Sequence, residues 1–329
     1  MNGLASQPMI SRAFWIALAI MIGTPAEAET AVTAVRDSYP DLAPDGAQLV
    51  FTSNRSGRQA IWIAKPDGSE PRILFDDPRL GTDPGTPRWS PDGRSIVFAM
   101  RPAGATDENE SEIYAMAADG SRLRRLTRAP GDDSHPHWSA DGRRILFNSA
   151  RATPDLKAEW SKQWIDIYSM AADGGDVRRH SDCKSVCTYP VPSPDGRFVA
   201  HRQVTATPGL TWELDPGARN SEVFVTALDG TGSVNVSNSP AYDGWPMWSP
   251  DGRWLVFSSN RDRVAYTGQI YAVRPDGTGM RALTRGALSR AQPSFSADGK
   301  QLFVYESAEG ADFEFGHVAR IAINLESDR

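Results

Sequence analysis

Two histidines two residues apart form the pattern in this chain that could most directly do chemistry. His135 and His137 follow Asp132 and Asp133 in the run DDSHPHW. Residues two apart on a strand point to the same side, so two imidazoles and a nearby carboxylate could bind a divalent metal. The alternative is ordinary hydrogen bonding at the rim of a fold. Which of the two applies depends on the elements that carry these side chains.

Those elements come from a repeat with a period of about 50 residues. The run WSPDGRWLVF from Trp248 recurs as WSPDGRSIVF from Trp89, WSADGRRILF from Trp138 and FSADGKQLFV from Phe295, with weaker copies from Ala43 and Pro192. Proline, aspartate and glycine favour a tight turn between two strands of alternating hydrophobicity. A second strand pair with its own Asp-Gly turn follows, as in IYAVRPDGTGMRALT. Six copies of four antiparallel strands predict an all-β, six-bladed β-propeller.

The repeat also predicts the boundaries of the blades and the way in which the ring closes. We place a single propeller domain at residues 29–329, with blades near 38–80, 86–130, 135–182, 188–239, 244–287 and 291–329. The last copy ends without a fourth strand, and we expect Thr30–Val35 to supply that strand. Such closure would remove an exposed sheet edge.

Residues 1–28 have the pattern of a signal peptide. Arg12 precedes the apolar run Ala13–Gly23, and an A-x-A site predicts cleavage before Glu29. The run is short for a membrane span, although an uncleaved anchor is the alternative. We therefore expect a periplasmic or secreted protein with no integral membrane segment after cleavage.

The chain has two cysteines, Cys183 and Cys187, in the loop between the third and fourth blades. In an oxidising compartment we expect them to form a disulfide that pins this loop. A metal site or a redox pair is the alternative reading.

Composition bounds the class of partner. The formal net charge is −6 and the basic residues are scattered, which argues against nucleic acid as a partner. The sequence contains no nucleophile elbow, P-loop, H-E-x-x-H or EF-hand motif. The carboxylates of the Asp-Gly pairs are explained by turn formation and are not read as catalytic groups. We expect the protein to be a monomer.

The order of the strands predicts which face of the ring binds a ligand. The tight Asp-Gly turns, between the first and second and the third and fourth strands, fall on one face. Long, variable loops fall on the other face, where binding usually resides; we expect them at 101–110, 151–164, 204–219, 76–86 and 180–188. Trp160, Trp164 and Trp212 lie in these loops, where they could anchor a partner or stack on a sugar, or pack onto the blades.

Further candidates lie at the mouth of the channel, on the first strand of each blade. The residues three before the aromatic position are Pro40, Thr86, His135, Tyr189, Trp245 and Gln292. Those one before it are Leu42, Arg88, His137, Val191, Met247 and Ser294. From these sets and the loop tryptophans, the tentative binding residues are Arg88, His135, His137, Trp160, Trp164, Tyr189, Trp212, Trp245 and Gln292, with no catalytic residue assigned.

The runs WSPDGRWLVFSSNR, WSPDGRSIVF and IYAVRPDGTGMRALT resemble TolB-like, WD40-like (PD40) propeller repeats, over roughly residues 38–325. This resemblance implies a propeller that binds a partner in the cell envelope, as in the Tol–Pal system, where a TolB propeller contacts a peptidoglycan-associated lipoprotein. Similar repeats occur in dipeptidyl-peptidase-like and prolyl-oligopeptidase-like enzymes, which carry a serine-hydrolase domain. Such a domain is not expected here.

The expected function is therefore a non-catalytic binding module for an envelope protein, a peptide or a glycan, without a cofactor. The alternative comes from a second resemblance, in which Ser134-His135-Pro136-His137 is similar to part of the metal site of oligogalacturonate lyase. That resemblance implies a divalent metal, and a metal-dependent lyase of acidic oligosaccharides. Arg88 or Arg202 could then hold the uronate carboxylate, while Asp132 stands where the lyase has a glutamine.

Overall fold

Six antiparallel sheets follow one another along the chain in the computed structural model, which describes residues 34–107, 109–159, 162–208, 219–262, 267–308 and 313–326. Blade 1 contains β1 (Asp37–Leu42), β2 (Leu49–Ser53), β3 (Ala60–Ala64) and β4 (Arg72–Phe75). Blade 2 contains β5 (Gly81–Trp89), β6 (Ser95–Pro102), β7 (Glu112–Ala117) and β8 (Arg124–Arg125). Blade 3 contains β9 (Asp133–Trp138), β10 (Arg144–Ser149), β11 (Asp166–Ala171) and β12 (Arg178–Arg179).

The second half of the ring repeats this order. Blade 4 contains β13 (Cys187–Pro192), β14 (Phe198–Pro208), β15 (Arg219–Ala227) and β16 (Ser233–Asn235). Blade 5 contains β17 (Asp243–Trp248), β18 (Leu255–Ser259), β19 (Gln269–Val273) and β20 (Arg281–Ala282). Blade 6 contains β21 (Ser289–Phe295), β22 (Gln301–Ser307) and β23 (His317–Ala322). The predicted six-bladed, all-β propeller is therefore confirmed, and the described part of its last blade has three strands.

The repeated turn explains why each blade forms locally. In blade 5, Asp251 Oδ1 accepts hydrogen bonds from Ser249 Oγ (2.6 Å) and from the Arg253 amide (3.0 Å). Gly252 has a φ of 70° and donates to the Ser249 carbonyl at 2.9 Å, a conformation that glycine adopts without a steric penalty. In blade 4 the same bond from a serine hydroxyl lowers the pKa of Asp195 to about 2. These carboxylates serve the turns, as the sequence predicts.

Within blades 2, 3 and 5, the two middle strands carry a stacked pair of aromatic side chains. A buried phenylalanine on the second strand stacks on a tyrosine of the third, with centroid distances of 5.9 Å for Phe98–Tyr114, 6.0 Å for Phe147–Tyr168 and 6.2 Å for Phe257–Tyr271. These phenylalanines are fully buried, and each fully buried side chain of this size contributes about 1.5–3 kcal/mol. The blades are thus a rigid support for the loops and for the channel.

Two of the predicted loops are shorter than expected. The loop at 76–86 ends where β5 begins, at Gly81, and β14 continues through Val204 to Pro208, which pairs with Arg219 of β15. Threonine, proline and glycine in these stretches favour a loop by composition, but cross-strand pairing extends the strands. The remaining part of the blade 4 loop, 209–218, lies outside the described residues.

The chain start meets the last blade at one bridge. Arg36 pairs in parallel with Gly316, and the Asp37 amide donates to the Gly316 carbonyl at 2.9 Å. The same bridge joins consecutive blades at Ile165–Val186 and Ser221–Tyr242. Residues 30–33 lie outside the described residues and Val35 is not part of a strand. Closure by an N-terminal outer strand therefore stays a prediction.

Candidate functional site

Each of the six inner strands has a β-bulge at the same position, and the bulge brings one side chain per blade to the channel. Two residues of the inner strand oppose one residue of its partner, as where His137 pairs with Leu146 and Ser134 pairs with Asn148. The first bulge residue has a φ between 50° and 57° and is followed by proline in every blade. We call these residues the channel ring: Tyr39, Thr86, His135, Tyr189, Trp245 and Gln292.

The channel ring corrects the prediction for blade 1. The structure places Tyr39, not Pro40, in the ring. The position one residue before the aromatic position is occupied by Asp41, not Leu42. Leu42 pairs with Leu49 as Trp89 pairs with Ile96 in blade 2. Because leucine replaces the aromatic residue that marks this position elsewhere, the sequence alignment of blade 1 was wrong by one residue.

Aromatic contacts link ring residues between neighbouring blades and, for Tyr39 and His135, between blades 1 and 3. Centroid distances are 6.4 Å for Tyr39–His135, 4.2 Å for His135–Tyr189 and 5.6 Å for Tyr189–Trp245. Phe313, which the sequence analysis missed, lies 5.5 Å from Trp245. It precedes the last strand and matches no repeated motif, so the sequence gives no signal for it. The result is a continuous aromatic surface at the channel.

A small cavity lies between the ring residues. Its volume is about 30 Å³, and Thr86, Arg88, His137, Gln292 and ring prolines are among the residues that line it. Space of this size holds one or two water molecules. Thr86 Oγ1 is buried and has no hydrogen-bond partner in the structure. A larger ligand would therefore have to lie over the ring rather than within it.

Burial keeps the ionisable groups of the ring neutral near pH 7. It lowers the pKa of His135 to about 4 and that of His137 to about 3, because the charged imidazolium loses hydration. The Arg88 guanidinium acts on both histidines in the same direction. Burial also raises the pKa of Tyr39 and of Tyr189. Apart from the positive Arg88, the channel surface therefore presents aromatic rings and neutral polar groups.

Arg88 and Arg202, the two arginines proposed for a uronate carboxylate, are held by protein groups. Arg88 Nη1 lies 3.3 Å from Asp41 Oδ1 and donates to the Pro40 carbonyl at 3.2 Å. Arg202 Nε donates to Ser221 Oγ at 2.5 Å, and its guanidinium lies 5.0 Å from the centre of the Tyr242 ring. Arg88 lines the cavity, whereas Arg202 is not among its lining residues.

The histidine pair has no third metal-ligating side chain beside it among the described residues. His135 Nδ1 lies 2.9 Å from Asn148 Oδ1, and His137 Nδ1 lies 3.1 Å from the Trp138 carbonyl oxygen. Asp132 bonds to Ser134 and to the Ser111 amide and does not line the cavity. Across the described ranges, no cluster of three or more histidine, cysteine, aspartate or glutamate side chains could hold a metal ion. The positive Arg88 beside the pair further disfavours a cation.

The long-loop face lies at the end of the channel where the inner strands begin. Trp164, one of the predicted anchors, is half-buried, and its amide and carbonyl bond to Thr153 Oγ1 at 3.0 and 2.8 Å. Trp160 and Trp212 lie outside the described residues. Cys183 and Cys187 form a disulfide with a Cα–Cα distance of 6.4 Å. This disulfide fixes the loop that leads to Tyr189, two residues after Cys187.

Family comparison gives the class of this propeller. The family model described as "TolB beta propeller domain" (PD40) matches residues 79–215. Residues 79–215 are therefore similar to a TolB propeller, and the resemblance seen in the repeats is confirmed for this part of the molecule. Within the described residues, the structure has no helix of the length and hydrophobicity that a membrane span requires.

Sequence relatives carry several names. The chain is 27% identical to the uncharacterized protein Atu1656 of Agrobacterium fabrum, over 70% of this chain and 72% of the relative. It is 28% identical to the uncharacterized peptidase YuxL of Bacillus subtilis, over 70% of this chain but 30% of the relative. It is 34% identical to the Tol-Pal system protein TolB of Anaeromyxobacter dehalogenans, over 29% of this chain and 20% of the relative. The last two alignments thus span less than a third of each relative.

Solved structures share the fold. A TolB-like protein from Agrobacterium tumefaciens superposes with a TM-score of 0.62 at 21% identity, covering 87% of this chain and 91% of that one. Oligogalacturonate lyase in complex with manganese gives a TM-score of 0.56 at 15% identity, covering 90% and 80%. Identities this low establish the propeller architecture alone.

Proposed function

We propose that this chain is an exported, non-catalytic binding module that holds an envelope protein, a peptide or a glycan on its long-loop face, over the channel ring. The observation that carries this proposal is the channel ring itself. Six residues other than glycine adopt a positive φ at equivalent positions, and such conformations cost about 1–3 kcal/mol each and cluster at functional sites. Bulges re-aim side chains and recur beside binding sites.

The chemistry of the ring suits recognition. Tyr39, His135, Tyr189 and Trp245 offer aromatic faces that can stack on a sugar or on an apolar side chain of a partner. The histidines are neutral near pH 7, since burial lowers their pKa values to about 4 and about 3. A ligand would thus meet a surface that is largely uncharged and already in place, so little ordering cost opposes binding.

The proposed location is the periplasm, or the medium outside the cell. The signal-peptide pattern of residues 1–28 supports export, and the disulfide Cys183–Cys187 suits an oxidising compartment. The name of the relative in Anaeromyxobacter dehalogenans, a Tol-Pal system protein, supports an envelope partner. We do not extend the peptidase activity named for YuxL to this chain.

A metal-dependent lyase of acidic oligosaccharides is the second candidate. The fold similarity to oligogalacturonate lyase and the two histidines of the channel favour it. The absence of a third metal ligand among the described residues counts against it. Assays for unsaturated product with several uronate oligomers separate the two functions, because a binding module forms none.

Affinity capture tests the proposal. The mature protein, residues 29–329, is immobilised and exposed to detergent-solubilised envelope proteins and, separately, to envelope glycans. We expect a specific partner or glycan that is lost with Tyr189→Ala and with Trp164→Ala. Arg253→Ala, at an exposed turn on the opposite face, should retain it. Failure to capture any partner or glycan would contradict the proposal.

A further inference from the structure

A groove away from the channel lies between the loops of blades 2 and 3. It is lined by described residues of the loop after β6 (Thr106, Asp107, Glu110), of the segment after β8 (Arg128, Gly131) and of the loop after β10 (Leu156, Lys157, Gln163). Its volume is about 670 Å³, within the range of about 300–1,000 Å³ that is typical of ligand pockets. It is thus large enough for several residues of a peptide, whereas the cavity in the channel is not.

The groove is held in shape by specific packing. Leu156 of the blade 3 loop packs with the buried residues Ala150 and Ile165. Gly131, on the segment after β8, has a φ of 86°, and a Cβ atom there would meet Leu156 Cδ2 at 2.8 Å and Ala150 Cβ at 3.1 Å. Glycine therefore allows the two segments to approach closely, and the wall of the groove does not depend on a ligand.

One buried polar atom at the groove lacks a partner. Gln163 is 1% exposed, and its Nε2 donates to the carbonyls of Leu156 at 3.2 Å and Ala158 at 3.0 Å. Its Oε1 is buried and accepts no hydrogen bond in the structure. A buried acceptor without a donor is costly. Because Oε1 is enclosed by protein atoms, Gln163 fixes the base of the groove and does not itself contact a ligand.

The charged groups of the groove have both signs. The blade 2 loop supplies Asp107 and Glu110, whose carboxylates accept bonds from Asn109 and from the Thr106 amide. Lys157 comes from the blade 3 loop, and Arg128 from the segment after β8. Within the described ranges, none of these four charged side chains forms an ion pair.

Arg125 differs from these groups, because its guanidinium is paired with Glu112 at 2.7 Å. The groove thus offers two anionic and two cationic groups for a ligand.

We infer that this groove binds an extended peptide that carries an acidic and a basic side chain close together. Such a peptide supplies a cation for Asp107 and Glu110 of the blade 2 loop and an anion for Lys157 and Arg128. Complementary charges on the two walls of the groove fix the direction of the peptide. They also disfavour peptides whose charged side chains all have the same sign. This inference rests on the proposed function, since it names a ligand class and a second contact surface on the same long-loop face.

Fluorescence anisotropy with four labelled hexapeptides tests the inference at low ionic strength. The first peptide carries one lysine and one glutamate separated by two alanines. In the other three, this pair is replaced by two glutamines, two lysines or two glutamates. We expect the mixed peptide to bind the mature protein about fivefold more tightly than each of the others, the scale of exposed charge pairs. Added salt should reduce the difference.

Matched variants locate the binding. Lys157→Glu should weaken the mixed peptide about fivefold, and the swap Asp107→Lys/Lys157→Glu should restore part of the loss. Lys300→Glu, on an exposed turn of the other face, should change nothing. Equal binding of the four peptides, no binding at all, or equal effects of Lys157→Glu and Lys300→Glu would each overturn the inference. Capture that depends on Tyr189 would survive such a result, so the two proposals can fail separately.

Discussion

The imidazole of His135 lies edge-on to the ring of Tyr189, with a centroid distance of 4.2 Å and an interplanar angle of 71°. The two residues belong to β9 and β13 of neighbouring blades and are both bulge residues. On its other side His135 bonds through Nδ1 to Asn148 of β10 at 2.9 Å. The imidazole is therefore fixed by two blades and half-buried at the channel, and its partial loss of hydration disfavours protonation.

This burial predicts acid sensitivity of the ring. The folded-state pKa values of His135 and His137, about 4 and about 3, lie below the unfolded value of 6.5. Between these limits the unfolded chain binds more protons, so the free energy of unfolding falls as the pH falls below about 6.5. Each histidine should lower the free energy of unfolding by about 1–2 kcal/mol between pH 7 and pH 5.

Urea unfolding at pH 7 and pH 5 measures this effect. His135→Gln and His137→Gln should each reduce the loss of stability between the two pH values. Gln48→Ala, at an exposed site of the blade 1 turn, serves as the control and should leave the pH dependence unchanged. An identical pH dependence in all four proteins would show that His135 and His137 do not lose hydration at the channel as the structure has them.

Strain in the channel ring predicts a stabilising substitution. Thr86 is β-branched, has a φ of 52° and leaves Oγ1 without a partner. Asparagine tolerates this conformation better, so Thr86→Asn should raise the free energy of unfolding by about 1 kcal/mol. Thr188→Asn is the matched control, because Thr188 is also buried without a partner but is not among the residues with positive φ. Equal effects of the two substitutions would argue against strain.

Ring closure predicts a strong effect of the mature N-terminus. Arg36 bridges to Gly316 and donates from Nη2 to Gln59 Oε1 at 2.9 Å. Deletion of residues 29–36 should lower the Tm by many degrees, since it removes this bridge and the segment expected to cover the edge of β23. Deletion of 29–33 alone isolates the contribution of the outer strand. An unchanged melting curve for that shorter deletion would exclude the predicted strand.

Metal analysis distinguishes the two candidate functions. We expect the purified mature protein to contain far less than one equivalent of divalent metal, because the described residues offer two histidines and no third ligand. His135→Ala/His137→Ala should leave that small amount unchanged. A nearly stoichiometric metal that disappears in the double variant would favour the lyase.

The fold was predictable because each repeat contains the residues that form its own turn. Ser249, Asp251 and Gly252 make the local bonds that their residue types predict. The aspartate and glycine bonds recur in every blade, and the serine bond recurs in all but blade 1, where Ala43 replaces the serine. Strand ends were less predictable, as in β14, which extends to Pro208. Pairing between strands decides where such a strand stops, and composition alone does not contain that information.

The site was predictable only in part. The position three residues before the aromatic residue placed His135, Tyr189 and Trp245 at the channel, where the structure has them. In blade 1 the prediction named Pro40 in place of Tyr39, because this blade lacks the aromatic residue that marks the position in the others. The bulge geometry and the contact of Phe313 with Trp245 arise from the ring as a whole, so no single repeat could reveal them.

The placement of the five lysines allows the most direct test of the central claim, that the long-loop face binds the partner. Lys157, Lys162 and Lys184 lie on that face, and Lys65 and Lys300 lie in turns on the other; all are exposed. Lysine-reactive cross-linking of the captured complex, followed by mass spectrometry, reports which face the partner contacts. We predict cross-links through the first three lysines. Cross-links confined to Lys65 and Lys300 would contradict the assignment of the binding face.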